Sequence, residues 1–119
     1  MRVVMIGGSG HVGTYLAPRL VESGHEVLNI SRRQREPYQP QAAWTQVQQV
    51  VIDRAAAEAV GSFGAQIAAL NPDAVIDMIC FTLESAQQLV EALRGRVRHF
   101  LHCGTIWVHG PSAVVPTTE

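Results

Sequence analysis

A strand-forming run, Val3-Val4-Met5-Ile6, passes directly into Gly7-Gly8-Ser9-Gly10-His11-Val12-Gly13. Glycines at such a junction permit a tight strand-to-helix turn and remove the Cβ atoms that would hold a ligand away from the backbone. The helix that follows points unpaired N–H groups and its positive dipole end at the same place, which is where an anion binds. Two registers overlap: Gly8-x-Gly10-x-x-Gly13 fits the general dinucleotide fingerprint, and Gly7-x-x-Gly10-x-x-Gly13 fits a variant with wider first spacing. Context favours a pyrophosphate cradle over an ordinary glycine-rich turn. An apolar strand precedes the motif, a helical pattern of Val12, Leu16 and Leu20 follows, and Ser23-Gly24 stops that helix before a second strand.

Beyond the turn, apolar β-type runs alternate with helical patterns, as in a parallel sheet covered on both faces. Five strands are expected at 2–6, 26–30, 47–52, 74–78 and 99–103, with crossover helices at 11–23, 54–70 and 82–94. The fold class is therefore α/β, a doubly wound parallel sheet with strand order 3-2-1-4-5, ending after the fifth strand. Residues 31–46 carry two prolines and several glutamines without a period, and read as an irregular surface connection. Pro18 lies inside the first helix, where it cannot donate to the carbonyl of Thr14, so a kink or local loosening is expected there. Gly61-Ser62-Phe63-Gly64 predicts an interrupted helix after the third strand. Thr82 is placed to cap the helix that carries Leu83, Ala86, Leu89, Val90 and Leu93 on one face.

With 119 residues the chain is limited to one domain, and a formal net charge of −1 gives no basic surface for nucleic acid. Trp44 and Trp107 are isolated and offer no stacking platform for single strands. No apolar stretch is long enough to span a bilayer, and the N-terminus enters a strand without a secretory n-region and h-region, so a cytoplasmic location is the default. Cys80 and Cys103 suit a reducing compartment, with no structural disulfide expected. His99, His102, Cys103 and His109 invite a metal reading, but His99 and His102 point to opposite faces of a strand, so no metal is expected.

These residues together resemble the extended and atypical short-chain dehydrogenase/reductase proteins, the NAD-dependent epimerase/dehydratase group. The resemblance runs along the whole chain. Its most specific piece is Gly7-x-x-Gly10-x-x-Gly13, joined by Gly24-His25-Glu26-Val27 entering strand two, Val51-Ile52-Asp53 after strand three, and the segment from His102-Cys103-Gly104-Thr105 through Ile106-Trp107-Val108-His109-Gly110-Pro111 after strand five. The resemblance implies that residues 1–119 form the NAD(P)-binding Rossmann domain of a longer protein. It implies that Gly7, Gly8, Ser9, Gly10, His11, Val12 and Gly13 surround the pyrophosphate, that Ile52 and Asp53 border the adenine, and that Cys80 and Phe81 approach the nicotinamide side. Thr105 falls at the position of the catalytic Ser or Thr, while His109 replaces the Tyr of the family's Val-Tyr-Gly.

Cofactor choice is read at the end of strand two, where an acid accepts hydrogen bonds from the ribose of NAD and basic groups accommodate the 2′-phosphate of NADP. Here the acid is missing, and Asn29-Ile30-Ser31-Arg32-Arg33 offers a hydroxyl and two guanidinium groups, which favours NADP with NAD as the alternative. Asp53 also suits an N-cap for the Ala-rich helix after it. Asp77 lies inside an apolar strand and either pairs with a buried donor, the preferred reading, or stands at the strand mouth near the cofactor.

The family's chemistry uses a Tyr-x-x-x-Lys pair after strand five, in which the Lys lowers the Tyr pKa. This chain has no lysine, and its tyrosines, Tyr15 and Tyr38, lie in the first helix and in the loop after strand two. Two readings stay open. The first is the cofactor domain of a reductase, epimerase or dehydratase acting on a sugar nucleotide or small carbonyl compound, with Tyr and Lys supplied by further sequence. The second is a non-catalytic NADP-binding regulatory or redox-sensing module; a Rossmann-like domain for another phosphate-bearing ligand is a third option. The first is preferred, because a parallel sheet ending at strand five exposes an edge and an apolar face, and a chain standing alone is expected to form a homo-oligomer.

Overall fold

The structure, a computed structural model, describes residues 1–105. The sheet contains β1 (Arg2–Ile6), β2 (Glu26–Ser31), β3 (Gln48–Val51), β4 (Ala74–Asp77) and β5 (His99–His102), all parallel in the order β3-β2-β1-β4-β5. The helices are α1 (Gly13–Glu22), α2 (Arg54–Ala59), α3 (Phe63–Ala69) and α4 (Leu83–Leu93), with a 3-10 turn at Ala42–Gln46. The expected topology is the observed one. No helix among the described residues is long and apolar enough to cross a membrane.

Both faces of the central strands are covered, so their sequence is mainly apolar and does not alternate, with Asn29 of β2 and Asp77 of β4 as buried polar exceptions. On one face Val4, Ile6, Leu28, Ile30 and Val75 pack with Phe63 and Ile67 of α3 and Leu89 and Leu93 of α4. On the other, Val3, Met5 and Val27 meet Ala17 of α1, Trp44 of the 3-10 turn and Val47 just after it. Each fully buried Leu, Ile, Val or Phe in these layers contributes about 1.5–3 kcal/mol relative to an exposed one. β5, at the sheet edge, is the exception: His99, Leu101 and His102 are exposed.

Three local features extend or correct the sequence expectations. The helix predicted at 54–70 is two helices, α2 and α3, broken where Gly61 adopts a φ of 68°. Pro18 sits buried within an uninterrupted α1, and the Thr14 carbonyl that it leaves without a donor accepts instead from Gln41 Nε2 at 3.3 Å. The supposedly irregular 31–46 connection is thereby fastened to α1: Thr14 Oγ1 donates to the Gln39 carbonyl at 3.0 Å and accepts from the Gln39 N–H at 2.9 Å. The Tyr15 hydroxyl also reaches Gln39 Oε1, and Trp44 is buried against the sheet as part of the second core layer.

Candidate active site

Four strands deliver their C-terminal ends to one cavity of about 550 Å³. β1 contributes Ile6 and the turn residues Gly7, Ser9 and Gly10; β2 contributes Ile30 and Ser31, followed by Arg32, Arg33 and Arg35. Ile52, Asp53, Arg54, Ala55 and Glu58 line it from β3 and α2, and Ile79, Phe81, Thr82 and Ser85 from β4 and α4. This is the place at which open α/β sheets bind ligands, at the carboxyl ends where the strand order reverses.

The turn is held from below. Asn29, fully buried in β2, accepts the Gly8 N–H through Oδ1 at 2.7 Å, and its Nδ2 donates to Gln49 Oε1 at 2.8 Å. Gly7 has a φ of 83°, and a Cβ there would stand 2.7 Å from Ile79 Cγ2. A Cβ on Gly13 would collide with the Gly8 carbonyl, so Gly13 serves the close packing of helix on turn. Gly10 differs: an added Cβ would meet only the Gly7 carbonyl, at 3.6 Å, and otherwise would project into open space. No side chain caps the N-terminus of α1 at Val12. A bare Gly10 on the cavity wall and an uncapped ten-residue helix together fit a bound pyrophosphate.

The expected site residues divide by position. Gly7, Ser9, Gly10, Ser31, Arg32, Arg33, Ile52, Asp53 and Phe81 line the cavity; Gly8, His11, Val12, Gly13, Cys80 and Thr105 do not. Gly8 and Gly13 are structural supports of the turn. Val12 is exposed, and the exposed His11 ring stands edge-on to Tyr38, with centroids 4.1 Å apart. Ser31 Oγ donates to the Arg33 carbonyl at 2.8 Å, a local turn at the start of the arginine segment. Asp53 also caps α2, accepting the Ala56 N–H at 3.1 Å. Thr82 caps α4 by accepting the Ser85 N–H at 3.2 Å. Phe81 is 86 % exposed. Ile106 to Pro111, with Trp107 and His109, lie outside the described residues.

Arg54 is the main participant that sequence reading missed. Its Nη1 donates to Asp77 Oδ1 at 2.8 Å, its Nε donates to Glu58 Oε1 at 2.6 Å, and its guanidinium carbon lies 5.0 Å from the Phe63 ring centroid. Ser85 Oγ donates to Glu58 Oε2 at 2.6 Å and ties α4 to the same cluster. Burial alone would lower the Arg54 pKa; the hydrogen bonds that it donates to Asp77 and Glu58 outweigh this and hold the guanidinium above its ordinary value. Asp77 thus has the buried donor expected for it. Removing either member would leave an uncompensated buried charge, at a cost of about 3–5 kcal/mol. Arg54 Nη2 and Asp77 Oδ2 remain without hydrogen-bond partners among the described residues. Arg35, Glu58 and Ser85 also escaped notice, since each reads locally as a solvated polar position.

The sequence pattern of the NAD dependent epimerase/dehydratase family matches residues 3–119. The chain belongs to the NAD-dependent epimerase/dehydratase family. It is 31 % identical over 119 residues to 2'-dehydrokanamycin reductase of Streptomyces kanamyceticus, covering all of this chain and 32 % of that protein. Among solved structures, UDP-galactose 4-epimerase superposes with a TM-score of 0.70 at 26 % identity, over 98 % of this chain and 42 % of its own. Bordetella bronchiseptica WbmG, solved in complex with NAD, gives 0.70 at 20 % identity over 98 % of this chain and 41 % of its own, a likeness of fold. The chain therefore spans about a third of the curated relative and two-fifths of these structures. Family membership supports an oxidoreductase-like domain that binds a dinucleotide cofactor.

Proposed function

We propose that this domain holds NADP for a reductase that acts on a carbonyl group of a small or sugar-derived substrate. The observation that carries the cofactor choice is that Ser31, Arg32, Arg33 and Arg35 all line the cavity, with no acidic side chain at the end of β2. A 2′-phosphate needs charge-assisted donors, which guanidinium groups supply in forked pairs. Gly7 and Gly10 admit the pyrophosphate, and Ile52 and Asp53 border the adenine. Phe81, exposed and lining the same cavity, offers an apolar surface on the nicotinamide side. The bound dinucleotide supplies hydride exchange; the described residues bind and orient it.

Reduction is preferred among the family's reactions because the 31 % identical relative is a reductase. Thr105 is the residue we assign to hydrogen-bond a substrate oxygen, together with a Tyr and Lys outside these 119 residues. The test is a calorimetric comparison of NADPH and NADH, with and without Arg32→Ala and Arg33→Ala. Loss of a charged hydrogen bond costs about 1.5–3 kcal/mol. NADPH should therefore bind tighter than NADH to the wild type and weaken by about tenfold or more in the double variant, with NADH nearly unchanged. Equal losses for the two cofactors would remove the arginines from the phosphate site, and an NADH preference would make NAD the cofactor.

A further inference from the structure

One group of side chains, Asp77, Cys80 and His102, stands outside the set of residues that line the cavity. One carboxylate oxygen, the thiol sulfur and one imidazole nitrogen all lie within 4.8 Å of one another. Strand register creates this meeting. Asp77 at the end of β4 is paired with His102 on β5, and paired residues of adjacent parallel strands project from the same face. Cys80 returns to them from the short connection that leads into α4. Sequence reading compared histidines along one strand and so expected no metal; the convergence occurs across two strands.

We propose that Asp77, Cys80 and His102 bind a zinc ion. Asp77 is 1 % exposed, and its Oδ2 has no hydrogen-bond partner among the described residues while Oδ1 is engaged by Arg54. A buried carboxylate oxygen left unmatched is costly, and a cation is a natural complement for it. Carboxylate oxygen, thiolate and imidazole form a mixed donor set suited to zinc, with the fourth tetrahedral position left to water or a ligand.

The neighbouring guanidinium does not forbid a cation. Once Cys80 is a thiolate, Asp77, Glu58 and Cys80 bring three negative charges against the one positive charge of Arg54, and a divalent ion neutralises the remainder. Arg54 then holds the ligating carboxylate in place, as outer-sphere partners of metal ligands do. Burial decreases from Asp77 through the half-buried Cys80 to the exposed His102, which gives the ion a route in from solvent. Zinc ligand bonds of about 2.0–2.3 Å require the three groups to close slightly, a movement open to the exposed His102 ring.

The experiment uses the purified protein, stripped with a chelator and titrated with Zn²⁺ against a chromophoric competitor. Co²⁺ serves as a spectroscopic probe of thiolate ligation. One equivalent of zinc should bind, and Co²⁺ should develop a thiolate-to-metal absorption band. Cys80→Ser should abolish that band, and Cys80→Ser and His102→Gln should each weaken zinc by at least about 100-fold, the upper end of what loss of an outer-sphere partner does. Cys103→Ser, which removes the other thiol of the chain, should change neither reading. Circular dichroism checks that each variant is folded, and His102, being exposed, is the substitution least able to disturb the core. Absence of saturable binding, a cobalt spectrum without the thiolate band, or unchanged affinity in His102→Gln would each overturn the proposal.

Discussion

At the scale of single residues, the glycines of the turn do separate jobs that their shared motif conceals. Gly13 lacks a side chain because the Gly8 carbonyl occupies that space, whereas Gly10 lacks one beside a cavity. Gly13→Ala should therefore destabilise the fold by about 1–3 kcal/mol, the usual cost of overpacking, read from urea unfolding midpoints. Gly10→Ala should leave unfolding within about 0.5 kcal/mol of wild type while weakening dinucleotide binding by calorimetry. Equal unfolding penalties would mean that Gly10 is also a packing residue. The motif itself was legible because glycine spacing after an apolar strand is a local signal. Arg54 was not: following an N-cap aspartate and preceding three alanines, it looks like a solvated helix residue, and only the fold brings Asp77 to it. Asn29 gave a weak signal, as one polar residue in a buried strand, but its bond to Gly8 depends on strand pairing.

The elements were easiest to read where burial dictates composition. β1, β2 and β4 announced themselves as apolar runs, and each helix start at Asp53 and Thr82 carries a side chain that caps it. The connection at 31–46 was opaque because its order comes from contacts with α1 that leave no periodic trace. At the opposite end of the sheet, Asp73 links elements electrostatically: its Oδ2 accepts the Arg2 N–H of β1 at 2.8 Å. That backbone hydrogen bond, ahead of the charge of Arg98, holds the Asp73 carboxyl below its ordinary value of 3.8. A carboxylate depressed in the folded state adds stability above its unfolded pKa and loses it as pH falls through the folded one. Unfolding midpoints should therefore drop between about pH 5 and pH 2, and Asp73→Asn, which keeps an acceptor oxygen, should flatten that slope. An unaltered slope in Asp73→Asn would assign the acid sensitivity elsewhere.

For the whole molecule, the strand order follows from alternating strand and helix signals together with right-handed crossovers, and no single residue encodes it. What composition could not reveal is how unevenly the surface is finished. Leu101 on the β5 edge is 51 % exposed, and near the cavity mouth Phe81 and Leu83 are 86 % and 68 % exposed. Apolar surface of this kind is usually covered, by further chain or by a second copy. The 119-residue chain by itself should show concentration-dependent association in light scattering. A monomer at high concentration would show that this edge tolerates water.

The bond between Gln41 and the Thr14 carbonyl has a consequence for substitution. A helix that substitutes another residue for Pro18 regains its own donor and releases Gln41, while a loop that loses Gln41 strands a carbonyl only as long as the proline remains. Positions 18 and 41, distant along the chain, are thus energetically coupled: a change at one alters what a change at the other costs.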